Sequence, residues 1–161
     1  MSLAPFVPSS EFVVEKMLEL ANLKPGEKLF DLGSGDGRII IMAAKKYNAS
    51  AVGIELREDL VEQSRQKIKE NHLEDVVKVI HGNFLEVDLS KADVITMYLT
   101  TGGNAQVKPK LEKELKAGAR IVSHDFEIPG WVPAKIEKIA EEQEYWPLHH
   151  TIYLYEKLGE K

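Results

Sequence analysis

The 161-residue chain contains no cysteine. This excludes disulfides, thiolate zinc sites and every reaction that needs a cysteine nucleophile. Long apolar runs are also missing, since none approaches the roughly 20 residues that span a bilayer, and the N-terminus lacks the basic and apolar pattern of a secretion signal. We therefore expect a cytoplasmic protein with a single domain over residues 1–161, in which residues 1–10 form an irregular arm.

Basic charge is not in excess. The chain has 21 Lys and Arg residues against 26 Asp and Glu residues, a formal net charge of −5. Proteins that bind nucleic acid usually carry a basic face, so this balance disfavours such a partner. It suits a small molecule or a basic protein. Asn and Gln are few beside many Lys and Glu, which favours a thermophilic source.

Apolar patterns predict alternating helices and strands. The predicted helices cover residues 12–22, 38–47, 57–71 and 107–115, and the predicted strands cover residues 28–32, 51–55, 76–80, 92–98, 119–123, 135–142 and 151–157. Such alternation indicates a parallel sheet with helices on both faces, joined by right-handed crossovers. The last two strands break the alternation and form a closing antiparallel pair.

A glycine-rich loop follows the first predicted strand. Its pattern is an acid and then Gly at every second position, and the dinucleotide spacing G-x-G-x-x-G fails because Arg38 occupies the third glycine position. In α/β sheets ligands bind beyond the carboxyl ends of the strands, where glycines let the backbone approach closely. The candidate ligand contacts are Asp31, Leu32, Gly33, Ser34, Gly35 and Gly37. A turn without a ligand is the alternative.

Two further segments point to a nucleoside. Glu55 ends the second strand 24 positions after Asp31, close to the offset at which an acid reaches ribose hydroxyls, and Leu56 follows it. Asn83 and Phe84 come after the third strand and offer an amide for an adenine edge and a flat apolar ring. A solvated acid at Glu55, or a turn Asn beside a core Phe, is the alternative interpretation.

Together these motifs resemble those of the class I, seven-strand methyltransferases. The resemblance implies S-adenosylmethionine as cofactor and S-adenosylhomocysteine as product. It also implies a three-layer, Rossmann-like α/β fold whose seven-strand sheet has one antiparallel strand near the C-terminal end. A closer resemblance, to the archaeal broad-specificity protein lysine methyltransferases, lies in residues 31–40, 82–88, 108–115, 122–131 and 150–155. That family typically has Cys where Ser34 stands.

The closer resemblance implies methyl transfer to the ε-amine of lysines exposed on proteins. We expect the lysine site at the ends of the fourth and fifth strands, with Tyr98, Phe126 and Glu127 as catalytic candidates and Tyr98, Ser123, His124, Asp125 and Phe126 as substrate contacts. Edge packing for Phe126, a solvated loop for Asp125 and Glu127, and a strand-end role for His124 are the alternatives. Residues 6–8 are a candidate lid over the cofactor.

No metal site is predicted, because His149 and His150 are adjacent and would point to opposite faces of an extended chain. We expect a monomer. Methylation of RNA or DNA is the main rival function, although residues 96–99 read Thr-Met-Tyr-Leu rather than the Asn/Asp-Pro-Pro-aromatic pattern of enzymes that methylate base amines. Two further rivals are a small-molecule methyltransferase, for example one acting on a tetrapyrrole, and a cofactor-binding interaction module without activity.

Overall fold

A computed structural model describes residues 9–142 and 148–159. Its centre is a seven-stranded sheet with the order β3-β2-β1-β4-β5-β7-β6. Strand β7 is antiparallel to both of its neighbours, while the pairs among the first five strands are parallel. The strands are β1 (Lys28–Leu32), β2 (Ser50–Glu55), β3 (Val77–His81), β4 (Val94–Met97), β5 (Arg120–His124), β6 (Lys135–Glu141) and β7 (Leu148–Glu156).

Four α-helices flank the sheet: α1 (Glu11–Leu20), α2 (Arg38–Tyr47), α3 (Glu58–Glu70) and α4 (Thr101–Glu114). Ser10 caps α1, because its side chain accepts a hydrogen bond from the Val13 N–H. The predicted start of the last helix was wrong by six residues. Thr100 caps α4 by accepting from the Gly103 N–H, which begins the helix ahead of its apolar stripe.

The core has two apolar layers, one on each face of the sheet. Buried residues of α1, α2 and α3 pack in one layer, and those of α4 pack in the other. Neighbouring residues of β1 serve both faces, since Leu29 belongs to the first layer and Phe30 to the second. This is the predicted three-layer architecture with one reversed strand, and the prediction is confirmed.

The strand order reverses between β1 and β4. From β1 the chain adds β2 and β3 on one side of the sheet, and it then crosses over to add β4 and β5 on the other side. In sheets of this type ligands bind at that switch point, beyond the carboxyl ends of the strands. The ends of β1, β2, β4 and β5 all lie at this edge. No helix among the described residues has the length and apolar character needed to cross a membrane. The candidate lid, residues 6–8, lies outside the described residues.

Candidate active site

The loop after β1 is a tight turn held against β2. The N–H groups of Gly33 and Ser34 both donate to the carbonyl oxygen of Ile54, at 2.9 Å. Gly33, Gly35 and Gly37 have φ values of 78°, 57° and 87°. Residues other than glycine rarely adopt this left-handed backbone conformation. The glycines therefore fix the path of the loop, as their spacing predicted.

The Glu55 carboxylate lies under this loop. One oxygen accepts from the Gly35 N–H at 2.8 Å and the other from the Arg57 N–H at 2.9 Å. The side chain is buried. A carboxylate oriented by two backbone donors presents its remaining lone pairs in a fixed direction, which is what recognition of a vicinal diol requires. Leu56, the next residue, is half-buried.

Asp31 is a buried carboxyl at the end of β1, and the hydroxyl of Thr96 donates to it at 2.9 Å. Burial is the main cause that raises the pKa of Asp31 to about 7, and the negative charges of Glu55 and Asp36 add to the rise. An acid in this environment becomes a stable carboxylate when a cation binds beside it. The position therefore suits a ligand with a positive charge.

Asp36, unlike Asp31, has a cationic partner in the protein, because it forms an ion pair with Arg38. Both carboxylate oxygens of Asp36 accept from the guanidinium, at 2.7 and 3.0 Å, and Lys67 approaches one of them at 3.3 Å. These contacts hold the pKa of Asp36 at about 2. Arg38 also donates to the carbonyl of Ser9 and so joins the N-terminal segment to the loop. The acid-Gly-Arg sequence was the signal for this pair, but its role was not predicted.

Ser34 occupies the position at which the archaeal protein lysine methyltransferases typically have Cys. Its hydroxyl is buried and has no hydrogen-bond partner within the described residues. It packs against Gly53 so closely that a Cβ on Gly53 would lie 2.5 Å from the Ser34 oxygen. A thiol bonds weakly and loses less when it is buried without a partner. The environment at Ser34 is therefore better suited to Cys than to Ser.

Asn83 and Phe84 begin a short 3-10 helix after β3, Phe84–Glu86. The Asn83 side-chain oxygen accepts from the Leu85 N–H and caps this turn. Phe84 is 5% exposed and packs in the same apolar layer as Leu32 and Ile54. Its ring is therefore part of the apolar core that also contains the carboxyl ends of β1 and β2. The roles of both residues toward adenine stay predictions.

Three aromatic rings lie together at the ends of β4 and β5. The Tyr98 ring is 3.8 Å from the His124 ring and 6.3 Å from the Phe126 ring, centroid to centroid. The Tyr98 hydroxyl donates to Asp125 at 3.4 Å. Tyr98, Asp125 and Phe126 are only partly buried, and Glu127 is exposed. The structure thus brings the predicted substrate residues Tyr98, His124, Asp125 and Phe126 into one cluster.

Ser123 faces away from this cluster and supports the loop from inside. Its hydroxyl donates to the Phe126 carbonyl, and it accepts from the side-chain amide of Asn104. Asn104 is fully buried and also donates to the carbonyls of Phe126 and Glu127, both at 3.0 Å. Asn104 thereby fixes the backbone of the loop that follows β5. It was not predicted, because it lies in the part of α4 that has no apolar pattern.

His150 is the second residue that sequence patterns missed. Its Nδ1 is hydrogen-bonded to Nε2 of His124 at 2.8 Å, although the two residues are 26 positions apart. His124 also contacts the Ser9 hydroxyl through Nδ1 at 2.8 Å. Burial lowers the pKa of His124 to about 4, so its imidazole is neutral at physiological pH. His149 is exposed on the opposite face, as predicted.

Comparison with known proteins places this geometry in a family. The ANTKMT methyltransferase domain family matches residues 31–135, which include the glycine loop, Glu55 and the end of β5. The chain belongs to this methyltransferase family. A protein-lysine N-methyltransferase of Saccharolobus islandicus (strain REY15A) is 46% identical over 152 residues, which cover 94% of this chain and 92% of that protein.

More distant relatives differ in length. The adenine nucleotide translocase lysine N-methyltransferase of Mus musculus is 33% identical over 132 residues, 82% of this chain but 57% of that protein. Among solved structures, an RNA methyltransferase from Salinibacter ruber in complex with S-adenosyl-L-homocysteine has a TM-score of 0.86 and 39% identity, with 96% of each chain covered. These matches confirm the predicted fold and the prediction of an S-adenosylmethionine-dependent methyltransferase.

Proposed function

We propose that the protein transfers methyl groups from S-adenosylmethionine to the ε-amine of lysine residues in other proteins. The observation that carries this proposal is the 46% identity to a protein-lysine N-methyltransferase over nearly the whole of both chains. The geometry agrees with it, since an aromatic and acidic cluster lies beside a nucleoside-type loop at the same edge of the sheet.

The chain supplies several groups that suit the cofactor. The backbone of Gly33, Gly35 and Gly37 leaves space for the ligand, and Glu55 would accept the ribose hydroxyls. Asp31 would balance positive charge of the cofactor, because its buried carboxyl gains an ionic partner when the ligand binds. The bound sulfonium would supply an activated methyl group.

A lysine nucleophile must first lose its proton, because a free lysine amine has a pKa near 10.4. An apolar slot beside a sulfonium lowers that pKa. Tyr98 and Phe126 would wall such a slot, and Asp125 and Glu127 would attract the incoming ammonium. The remaining task is alignment of amine, methyl and sulfur for in-line displacement, with water kept out.

RNA methylation is the competing function, because the Salinibacter protein is described as an RNA methyltransferase. The net charge of −5 does not provide the basic face on which RNA binding usually depends. The ends of β4 and β5 also present a tyrosine and carboxylates, and carboxylates attract an ammonium group and repel a phosphate. Both observations favour a basic protein as the substrate.

Labelled S-adenosylmethionine, offered with histones, total RNA and DNA in separate reactions, tests the proposal. We expect label in the histones only, and none with Glu55→Gln, which removes the charge that orients the ribose. Glu58→Gln, an exposed acid in the first turn of α3, is the matched control and should keep full activity. Label in RNA alone would overturn the lysine proposal and leave the methyltransferase assignment standing.

A further inference from the structure

A cluster of three donor side chains lies behind the Tyr98 ring. We name it the His-Asp-His cluster, after His124, Asp125 and His150. Nε2 of His124 lies 2.8 Å from Nδ1 of His150, and one oxygen of Asp125 lies 3.5 Å from the first nitrogen and 3.8 Å from the second. Methyl transfer does not require two facing imidazoles, so the cluster calls for its own explanation.

These separations bracket the distance between neighbouring donor atoms in a tetrahedral metal site. Zinc binds imidazole nitrogen and carboxylate oxygen at about 2.0–2.2 Å with tetrahedral angles, which places neighbouring donor atoms roughly 3.3 Å apart. The three observed separations lie on both sides of that value. Two histidines and one carboxylate, with a fourth position left for water, are also a known donor set for zinc.

The outer contact of one of the two imidazoles is the kind that metal-bound histidines use. Such a histidine makes a hydrogen bond with its second nitrogen, which sets the tautomer and the ring orientation. The second nitrogen of His124 contacts the Ser9 hydroxyl at 2.8 Å. The second nitrogen of His150 is buried without a hydrogen-bond partner among the described residues, and a carboxylate oxygen of Glu141 lies 3.4 Å from it. Each imidazole thus directs its first nitrogen at the other and at Asp125.

The backbone holds the third donor in place. Asp125 has a φ of 63°, a left-handed conformation that side chains rarely adopt and that the surrounding structure must support. Its N–H donates to the Thr151 carbonyl, and one of its carboxylate oxygens accepts from the Thr151 N–H. The other oxygen is left facing the two histidines.

We propose that the His-Asp-His cluster binds a divalent transition metal ion of the zinc type, through Nε2 of His124, Nδ1 of His150 and one carboxylate oxygen of Asp125. The ion would take the place of the proton between the two imidazoles, and that proton would move to an outer ring nitrogen, so that both imidazoles bind as neutral ligands. Since β5 and the turn after it supply two ligands and β7 supplies the third, the ion links the two antiparallel strands. The Asp125 oxygen that binds the ion also accepts from the Tyr98 hydroxyl, so the ion would lie at the edge of the lysine site. With the ion bound, Glu127 alone would attract the incoming ammonium.

Titration of the untagged chain with Co²⁺ tests the proposal, because cobalt replaces zinc and absorbs visible light in a tetrahedral site. We expect a saturable spectrum with one ion per chain, its loss when Zn²⁺ is added, and a higher melting temperature with either ion. His150→Ala and Asp125→Asn should each weaken Co²⁺ binding by more than about 100-fold, since loss of an outer partner alone costs roughly 10- to 100-fold.

His149→Ala is the matched control, because it removes the adjacent exposed imidazole on the other face of β7. This variant should bind Co²⁺ as the parent does. Calorimetric binding of S-adenosylhomocysteine shows that each variant is folded. A parent protein without a saturable Co²⁺ spectrum would overturn the proposal, as would equal losses in His149→Ala and His150→Ala. Neither result depends on the identity of the methyl acceptor.

Discussion

At the scale of single residues, we expect Asp31 to make the affinity for the cofactor depend on pH. Its pKa is raised to about 7, so the ligand-free protein binds a proton there below that pH. A cationic ligand needs the carboxylate, so binding below pH 7 must expel the proton. We expect the affinity for S-adenosylmethionine to fall as the pH drops through about 7, with a limiting slope of about tenfold per unit.

Calorimetry on both sides of pH 7 measures this dependence, and Asp31→Asn is the control that should remove it. The same shift acts on stability in the opposite sense. A carboxyl whose pKa is raised on folding favours the folded state at low pH, and this contribution is lost as the pH rises from the unfolded value of 3.8 through about 7. An affinity that stays constant across this range in the parent protein would contradict the role given to Asp31.

Residue spacing was enough to predict that Asp31, the loop glycines and Glu55 lie together, because short-range backbone geometry places them at the ends of adjacent strands. Residue spacing could not predict the contacts of Asn104 and His150. Their contacts depend on how α4 and β7 pack on β5, and a pairing register between strands 26 residues apart is set by tertiary packing. The same limit explains why the contacts of His150 with His124 and Asp125 were not predicted.

At the scale of elements, the fit between β2 and the glycine loop is the tightest constraint. A Cβ at Gly53 would lie 2.5 Å from the Ser34 oxygen and 2.9 Å from a methyl group of Ile40. Gly53→Ala must therefore push β2 away from the loop and from α2. We expect the free energy of unfolding to fall by about 1–3 kcal/mol, the usual cost of overpacking, and the cofactor to bind more weakly because the loop moves.

Gly102→Ala is the matched control in α4. Its Cβ would meet nothing closer than 3.8 Å, and Ala is a better helix former by up to about 1 kcal/mol. Chemical denaturation of both variants should show a loss for the first and no loss for the second. Equal stabilities would contradict the close packing of β2 against the loop.

Among the elements, strand positions followed from apolar runs, whereas the start of α4 did not. Residues 101–106 carry two glycines and several polar side chains, which lower helix propensity. The Thr100 cap and the packing of Asn104 under the loop that follows β5 hold this turn in place instead. Local pattern fails here because a tertiary contact decides the conformation.

At the scale of the whole molecule, the order of the strands accounts for the positions of Asp31, Glu55 and His150. The reversal between β1 and β4 opens the edge where Asp31 and Glu55 lie, and the insertion of β7 between β5 and β6 brings His150 to the end of β5. The alternation of strands and helices predicted the first arrangement. The break in this alternation predicted the closing antiparallel pair, and the resemblance to seven-strand methyltransferases implied one reversed strand. The position of that strand between β5 and β6 was not predicted.

The atom that receives the methyl group decides whether the protein is a lysine methyltransferase. Histones labelled by the purified protein are digested and sequenced by tandem mass spectrometry, beside histones whose lysines were first chemically acetylated. We predict methyl groups on lysine side chains and loss of label after acetylation, because acetylation blocks the ε-amine. Label that persists on acetylated histones, or methyl groups on other side chains alone, would contradict it.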